Sequence, residues 1–299
     1  MQAANLAIFL ALSSATLSMS AAGLALLAIG LSAAKADIAR ARGIEKIAAM
    51  SNLCFALPLA VFGAEHLSSP QALLPLVPSY MPWRMFWVYL VGVALIAASL
   101  SIATRRQVRW SGLLVGIMMF LFVAMLHLPG AIRAGGRIPW TIVFREMSFG
   151  GAGWVLAGLA MVRHGEGHGR ALVTVGRVAI AIAAIFFGVE HFPHPLGLPG
   201  VPLLKETPAW VPARAFIDYL TGAFLVVAGV CFLLARKARI AATWLGAWIV
   251  LLVVVIYGPV LIGALANPSI GAQIEGLNYF ADTLLFGGAI LSLSGANRK

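Results

Sequence analysis

The chain has 299 residues, 61% of them hydrophobic and only 10% charged, with a formal net charge of +11 and a mean hydropathy of +0.96. A soluble domain carries about 25% charged residues. This composition cannot build a polar surface, so a soluble globular fold is excluded and an integral membrane protein is expected. The basic residues cluster briefly between apolar runs, a pattern that reads as topology, with the lipid bilayer and not a nucleic acid as the partner.

An apolar helix needs about 20 residues to cross a bilayer. Nine segments meet that length: 5–33, 47–66, 85–104, 110–132, 142–162, 172–191, 214–235, 240–265 and 277–295. They are continuously apolar and do not alternate, which predicts helices over a β-barrel. In the first segment, Ala34-Lys35-Ala36 resembles a leader cleavage site. No positive charge precedes this apolar run, which is too long for a leader, so it is read as a retained span. The fifth segment carries Arg145 and Glu146 near its start. The sixth carries Arg177, which is expected to snorkel to the interface. Cys54 and Cys231 lie in apolar runs and are read as small buried hydrophobes.

Alternate connections gather most of the basic residues. Lys35, Arg40, Arg42, Lys46, Arg105, Arg106, Arg109, Arg163, Arg170, Arg177, Arg236, Lys237, Arg239, Arg298 and Lys299 fall on one side. Arg84, Arg133, Arg137, Arg145, Lys205 and Arg214 fall on the other. The positive-inside rule then predicts a multi-pass inner (cytoplasmic) membrane protein with its N-terminus outside and C-terminus inside.

The two halves of the chain are alike. "VPSYMPWRMFWVYLVG" at 77–92 aligns with "TPAWVPARAFIDYLTG" at 207–222, an offset of 130 residues that also aligns Arg106 with Arg236, Arg109 with Arg239, Gly116 with Gly246 and Pro129 with Pro259. "FGAEHL" at 62–67 aligns with "FGVEHF" at 187–192, and "FGG" at 149–151 with "FGG" at 286–288. This predicts an all-α polytopic fold with one extra N-terminal helix (1–43) and two tandem four-helix units (44–165 and 166–299). An even number of spans makes the repeats parallel, related by an axis along the membrane normal. Gly112 and Gly116, at GxxxG spacing, permit close helix packing.

The Glu-His pair, the Pro-rich connection, the "PWRMFWVYLVG" or "PARAFIDYLTG" stretch and the basic turn after it resemble the DoxX-like family of small membrane proteins. The resemblance covers residues 44–296, twice over. It implies a four-helix unit, here in tandem, and an association with membrane redox chemistry. Other membrane redox subunits would be the partners and quinone the candidate cofactor.

Glu65 and Glu190 fall at C-terminal helix ends, where the helix dipole disfavours a carboxylate. Arg84 and Arg214, just before the next spans, are the expected counter-ions, each within its own half. The ligand-binding or polar-cluster candidates are Glu65, His66, Arg84, Tyr89, His127, Glu146, Glu190, His191, Arg214, Asp218, Tyr219, Tyr257 and Asp282, with Arg145 and His194 as polar neighbours. Ionisable residues inside spans are costly and mark functional sites. Tyr257 stands where the other half has His127, so a bis-His haem in both halves is not expected, nor is a metal. His164 and His168 read as a solvated connector. No nucleophile with its base can be picked out. Three functions fit: redox-associated binding of quinone or another amphiphile, carriage of a small molecule or ion, and a structural membrane subunit.

Overall fold

The computed structural model describes residues 12–295. Among these the chain is all-α, without a strand; the nearest to one is an isolated bridge between Gly197 and Glu206. The long helices are α1 (Ser14–Arg40), α2 (Ser51–Ser68), α3 (Arg84–Ala103), α4 (Val108–Ala134), α5 (Arg137–Arg163), α6 (Gly169–Glu190), α7 (Arg214–Leu233), α8 (Ala238–Leu265) and α9 (Ile270–Ser292). The expected start of the first span at residue 5 lies outside the described residues, as do Arg298 and Lys299. α1 begins at the Ser13 cap, whose side chain accepts from the Thr16 N–H, and runs unbroken through residues 34–37.

Seven of these helices are long and apolar enough to cross a membrane: α1, α3, α4, α6, α7, α8, and Ile270–Gly295, which extends α9. α2 and α5 are not among the seven. They carry Glu65 with His66, and Arg145 with Glu146. α5 also starts earlier than its apolar run suggests, which moves Arg145 about 12 Å along the helix from its first residue.

The helices pack in chain order: α2 on α3, α3 on α4, and so on to α9. α9 then packs on α2 and closes a ring, while α5 contacts α9 across it. α1 lies outside, against α2. Burial follows this arrangement: 83% of the most apolar window of Ile270–Gly295 is buried, against 22% for α4. The outward faces carry Leu24, Val93, Leu114, Val227 and Val254, all exposed, large apolar side chains of the kind that suit lipid.

Glycines set the closest approaches. A Cβ on Gly288 of α9 would lie 2.4 Å from the Phe55 backbone nitrogen of α2, and one on Gly176 of α6 would lie 2.2 Å from the Gly151 carbonyl of α5. The GxxxG pair faces α5 and not lipid: Gly112 meets the Gly153 carbonyl, and Gly116 meets the Trp154 ring. Phe55, Phe149, Phe187 and Phe286 fill the centre, the last two edge to face with centroids 5.1 Å apart.

One end of the ring gathers the basic connections. There Asp37 pairs with Arg105, Arg109 with Glu166 at 2.9 Å, and Arg239 with Glu45 at 3.4 Å. An open cavity of about 890 Å³ lies at this end, bordered by Asn52, Arg105, Arg109, Arg163 and Ser294. Arg177 lies toward this end too, donating to the Phe232 and Leu233 carbonyls that α7 leaves open.

Several local features recur 130 residues apart. Non-glycine residues with left-handed φ occur at Trp83 and Ala213, Arg105 and Ala235, and Gln107 and Lys237, a conformation uncommon outside glycine. α4 and α8 each contain one π-helical turn, Val123–His127 and Val253–Tyr257. Proline explains both. Pro129 and Pro259 have no N–H to close a turn onto the carbonyls of Met125 and Val255, so the helix widens just before them.

Candidate functional site

The twin Glu-His pairs share one half of their chemistry. His66 Nδ1 lies 2.8 Å from the Phe62 carbonyl, and His191 Nδ1 lies 2.5 Å from the Phe187 carbonyl. Each imidazole thus binds the carbonyl one turn back, near the end of its helix. The glutamates differ. Glu65 accepts a 3.2 Å hydrogen bond from Asn278 Nδ2 of α9, whereas Glu190 Oε2 is buried without a hydrogen-bond partner, 3.6 Å from His194 Nδ1.

The expected Glu–Arg pairs do not form. Arg84 donates from Nε to the Val77 carbonyl (2.9 Å) and from Nη2 to the Leu74 carbonyl (2.7 Å). Arg214 donates to the Thr207 carbonyl at 3.2 Å. Both arginines pin the preceding connection instead. An irregular connection exposes unpaired carbonyls close at hand, and these reach the guanidinium before a carboxylate on the neighbouring helix can.

The charged centre forms between the halves and not within each. Arg145 of α5 donates to Asp282 Oδ2 of α9 at 2.6 Å. It also donates to Glu146 Oε1 from Nη2 at 2.9 Å and from Nε at 3.2 Å. Successive helical residues point about 100° apart, so the long Arg145 side chain bends back over its own helix to reach Glu146. Both carboxylates are buried, at 8% exposure for Glu146 and 7% for Asp282. Glu65 lies within electrostatic range of Asp282, and His127, at the end of the first π turn, within range of Arg145 and Glu146. Two carboxylates, one from each half, therefore share one guanidinium, and Glu65 stands near the second of them.

Other candidates lie apart from this centre. Tyr89 and Tyr219 face outward, Tyr219 stacked on Phe192. With the exposed Trp83, Phe86 and Phe216 they form an aromatic rim of the kind found at membrane interfaces. Tyr257 is buried and donates to the Pro199 carbonyl at 3.1 Å. His191 and Asp218 are buried side by side, with Nε2 and Oδ1 3.6 Å apart. Among the described residues no group of three or more His, Cys, Asp or Glu could hold a metal ion.

Residues 55–143 match the family model of a domain of unknown function (DUF8561). The match runs from α2 into α5. It takes in Glu65, His66, Arg84, Tyr89 and His127 and stops just short of Arg145. No curated protein and no solved structure matches the chain.

The residue that organises the centre, Arg145, stood out in the sequence only as a polar neighbour, and Asn278 not at all. A usable signal exists. The 137-residue offset that aligns the two "FGG" stretches also aligns Arg145 with Asp282.

Proposed function

We propose that the protein is a nine-span inner-membrane carrier of a monovalent cation, built from two parallel four-helix repeats of the DoxX-like kind plus one N-terminal span. The observation that carries the reading is the Arg145 centre, where two carboxylates from two helices, one in each half, share one arginine, with Glu65 of a third helix near Asp282. A static tie needs only as many acids as bases. The surplus negative charge in a low-dielectric interior calls for an exchangeable positive ion. Carriers built from repeats bind their ions at the interface between repeats, which is where Arg145 meets its aligned counterpart Asp282. The recurring left-handed residues and π turns support the repeat. α2 and α5 are counted as spans because each fits between spanning neighbours in the ring, and 18 residues already reach about 27 Å.

The redox-associated, quinone-binding reading draws its support from the family resemblance and from the exposed aromatic rim. The structural-subunit reading fits less well, because a purely structural network would be fully paired. Here Glu190 Oε2, both Asp218 oxygens and Asn278 Oδ1 have no hydrogen-bond partner.

Two measurements test this proposal. Reporter fusions after Arg109 and after Arg239 should report cytoplasm, as expected if the basic end faces inward; an outside signal at either would reject the topology. Liposomes containing the purified protein should pass Na⁺ or H⁺ down an imposed gradient faster than empty liposomes, and the charge-balanced variant R145M/D282N should not. Flux equal to that of empty liposomes for Na⁺, K⁺ and H⁺ alike would reject the carrier.

A further inference from the structure

Asp218 sits one turn into α7, below the 191–213 connection. It is 1% exposed, and neither carboxylate oxygen has a hydrogen-bond partner. The donors around it are committed elsewhere. His191 Nε2 accepts the Gly200 N–H at 3.0 Å, which places the ring proton on Nδ1, facing the Phe187 carbonyl. His191 is therefore held as a neutral tautomer with nothing to offer the carboxylate 3.6 Å away. Tyr257, within electrostatic range of Asp218, gives its hydroxyl proton to Pro199. Thr221 donates to the Ile217 carbonyl at 2.8 Å. Arg214 donates to Thr207, and Arg137 to the Pro202 and Leu203 carbonyls at 2.9 and 3.2 Å.

The other half of the chain supplies a comparison. The offset of 130 that aligns the two Pro-Arg-Tyr-Gly stretches puts Val88 at the place of Asp218, and Val88 is equally buried, at 2% exposure. At the aligned position of the first half the packing accepts an isopropyl group. The carboxylate is therefore not required by the fold, and burying it unpaired is costly.

We propose that Asp218 is the ligating carboxylate of a second monovalent-cation site, beneath the 191–213 connection and present only in the second half of the chain. One positive charge balances the carboxylate, and the Tyr257 phenol oxygen adds a hard donor of the kind alkali cations take. A sodium ion and a proton share this chemistry. The site extends the carrier reading but shares no residue with the Arg145 centre.

The test is thermal unfolding of the full-length protein in detergent, in NaCl, KCl or choline chloride at equal ionic strength, and across pH in choline alone. The wild type should unfold at higher temperature with rising Na⁺, saturably, if sodium is the occupant, or on acidification in choline if the occupant is a proton. The charged and titratable groups near the site are His191, Tyr257 and, beside His191, Arg137, and these remain in every variant. D218V, which copies the other half, should lose whichever response the wild type has and should unfold above the wild type in choline. D218N should lose the response even if D218V fails to fold. R145M/D282N should keep it, so that failure of the carrier and failure of this site are told apart. A wild type indifferent to all three salts and to pH, or a response unchanged in D218N, would overturn the proposal.

Discussion

Replacing Arg145 by methionine should destabilise the protein by about 3–5 kcal/mol, the cost of leaving buried carboxylates without their counter-charge. Most of that cost falls on what remains. Glu146 and Asp282 lose the donors at 2.9 and 2.6 Å and stay buried. Removing acid and base together should cost far less: R145M/D282N takes out one charge of each sign, and a buried ion pair can be exchanged for apolar groups at little net loss. The swap R145D/D282R should recover part of the loss, because the two positions face each other across the α5–α9 contact. Equilibrium unfolding in mixed micelles with increasing SDS measures all three. Equal destabilisation by R145M and R145M/D282N would show that the pair is not coupled.

The second large effect is expected at Gly288. An alanine there would set its methyl 2.4 Å from the Phe55 nitrogen and 2.7 Å from the Cys54 carbonyl carbon. Both atoms belong to the α2 backbone, so no side chain can turn aside, and α9 must separate from α2 where the ring closes. Overpacking of this kind costs about 1–3 kcal/mol, more where backbone must shift. It should also weaken the Asn278–Glu65 hydrogen bond on the same helix pair. Gly263 of α8 is the control, since a Cβ there meets nothing within 4 Å. G263A should be neutral or should stabilise the helix by up to about 1 kcal/mol. The same SDS titration reads both. G288A matching the wild type would show that the close α2–α9 approach does not limit stability.

Part of the site is legible because it is local. A histidine near a helix end binding the carbonyl four residues back needs only the helix, and so the same contact appears at His66 and His191. The π turns follow in the same way from Pro129 and Pro259. The misassigned glutamate partners show where local reasoning stops. Arg84 is close to Glu65 in the chain, but its donors are taken by Leu74 and Val77, and Glu65 finds Asn278 more than 200 residues away.

The sequence by itself determined the class of the protein: helical, with long apolar segments, basic clusters on alternate connections and two like halves. These follow from composition, period and spacing, which act over one helix at a time. Only the tertiary structure decided that α9 closes the ring onto α2 and that Arg145 meets Asp282 across 137 residues. Only it, too, left Asp218 buried without a partner. Apolar helices carry no mark of which neighbour they will face, because lipid-facing and helix-facing surfaces are almost equally greasy. The choice rests on the few glycines that admit a close approach and on buried charges that must find each other, and both are properties of pairs of helices.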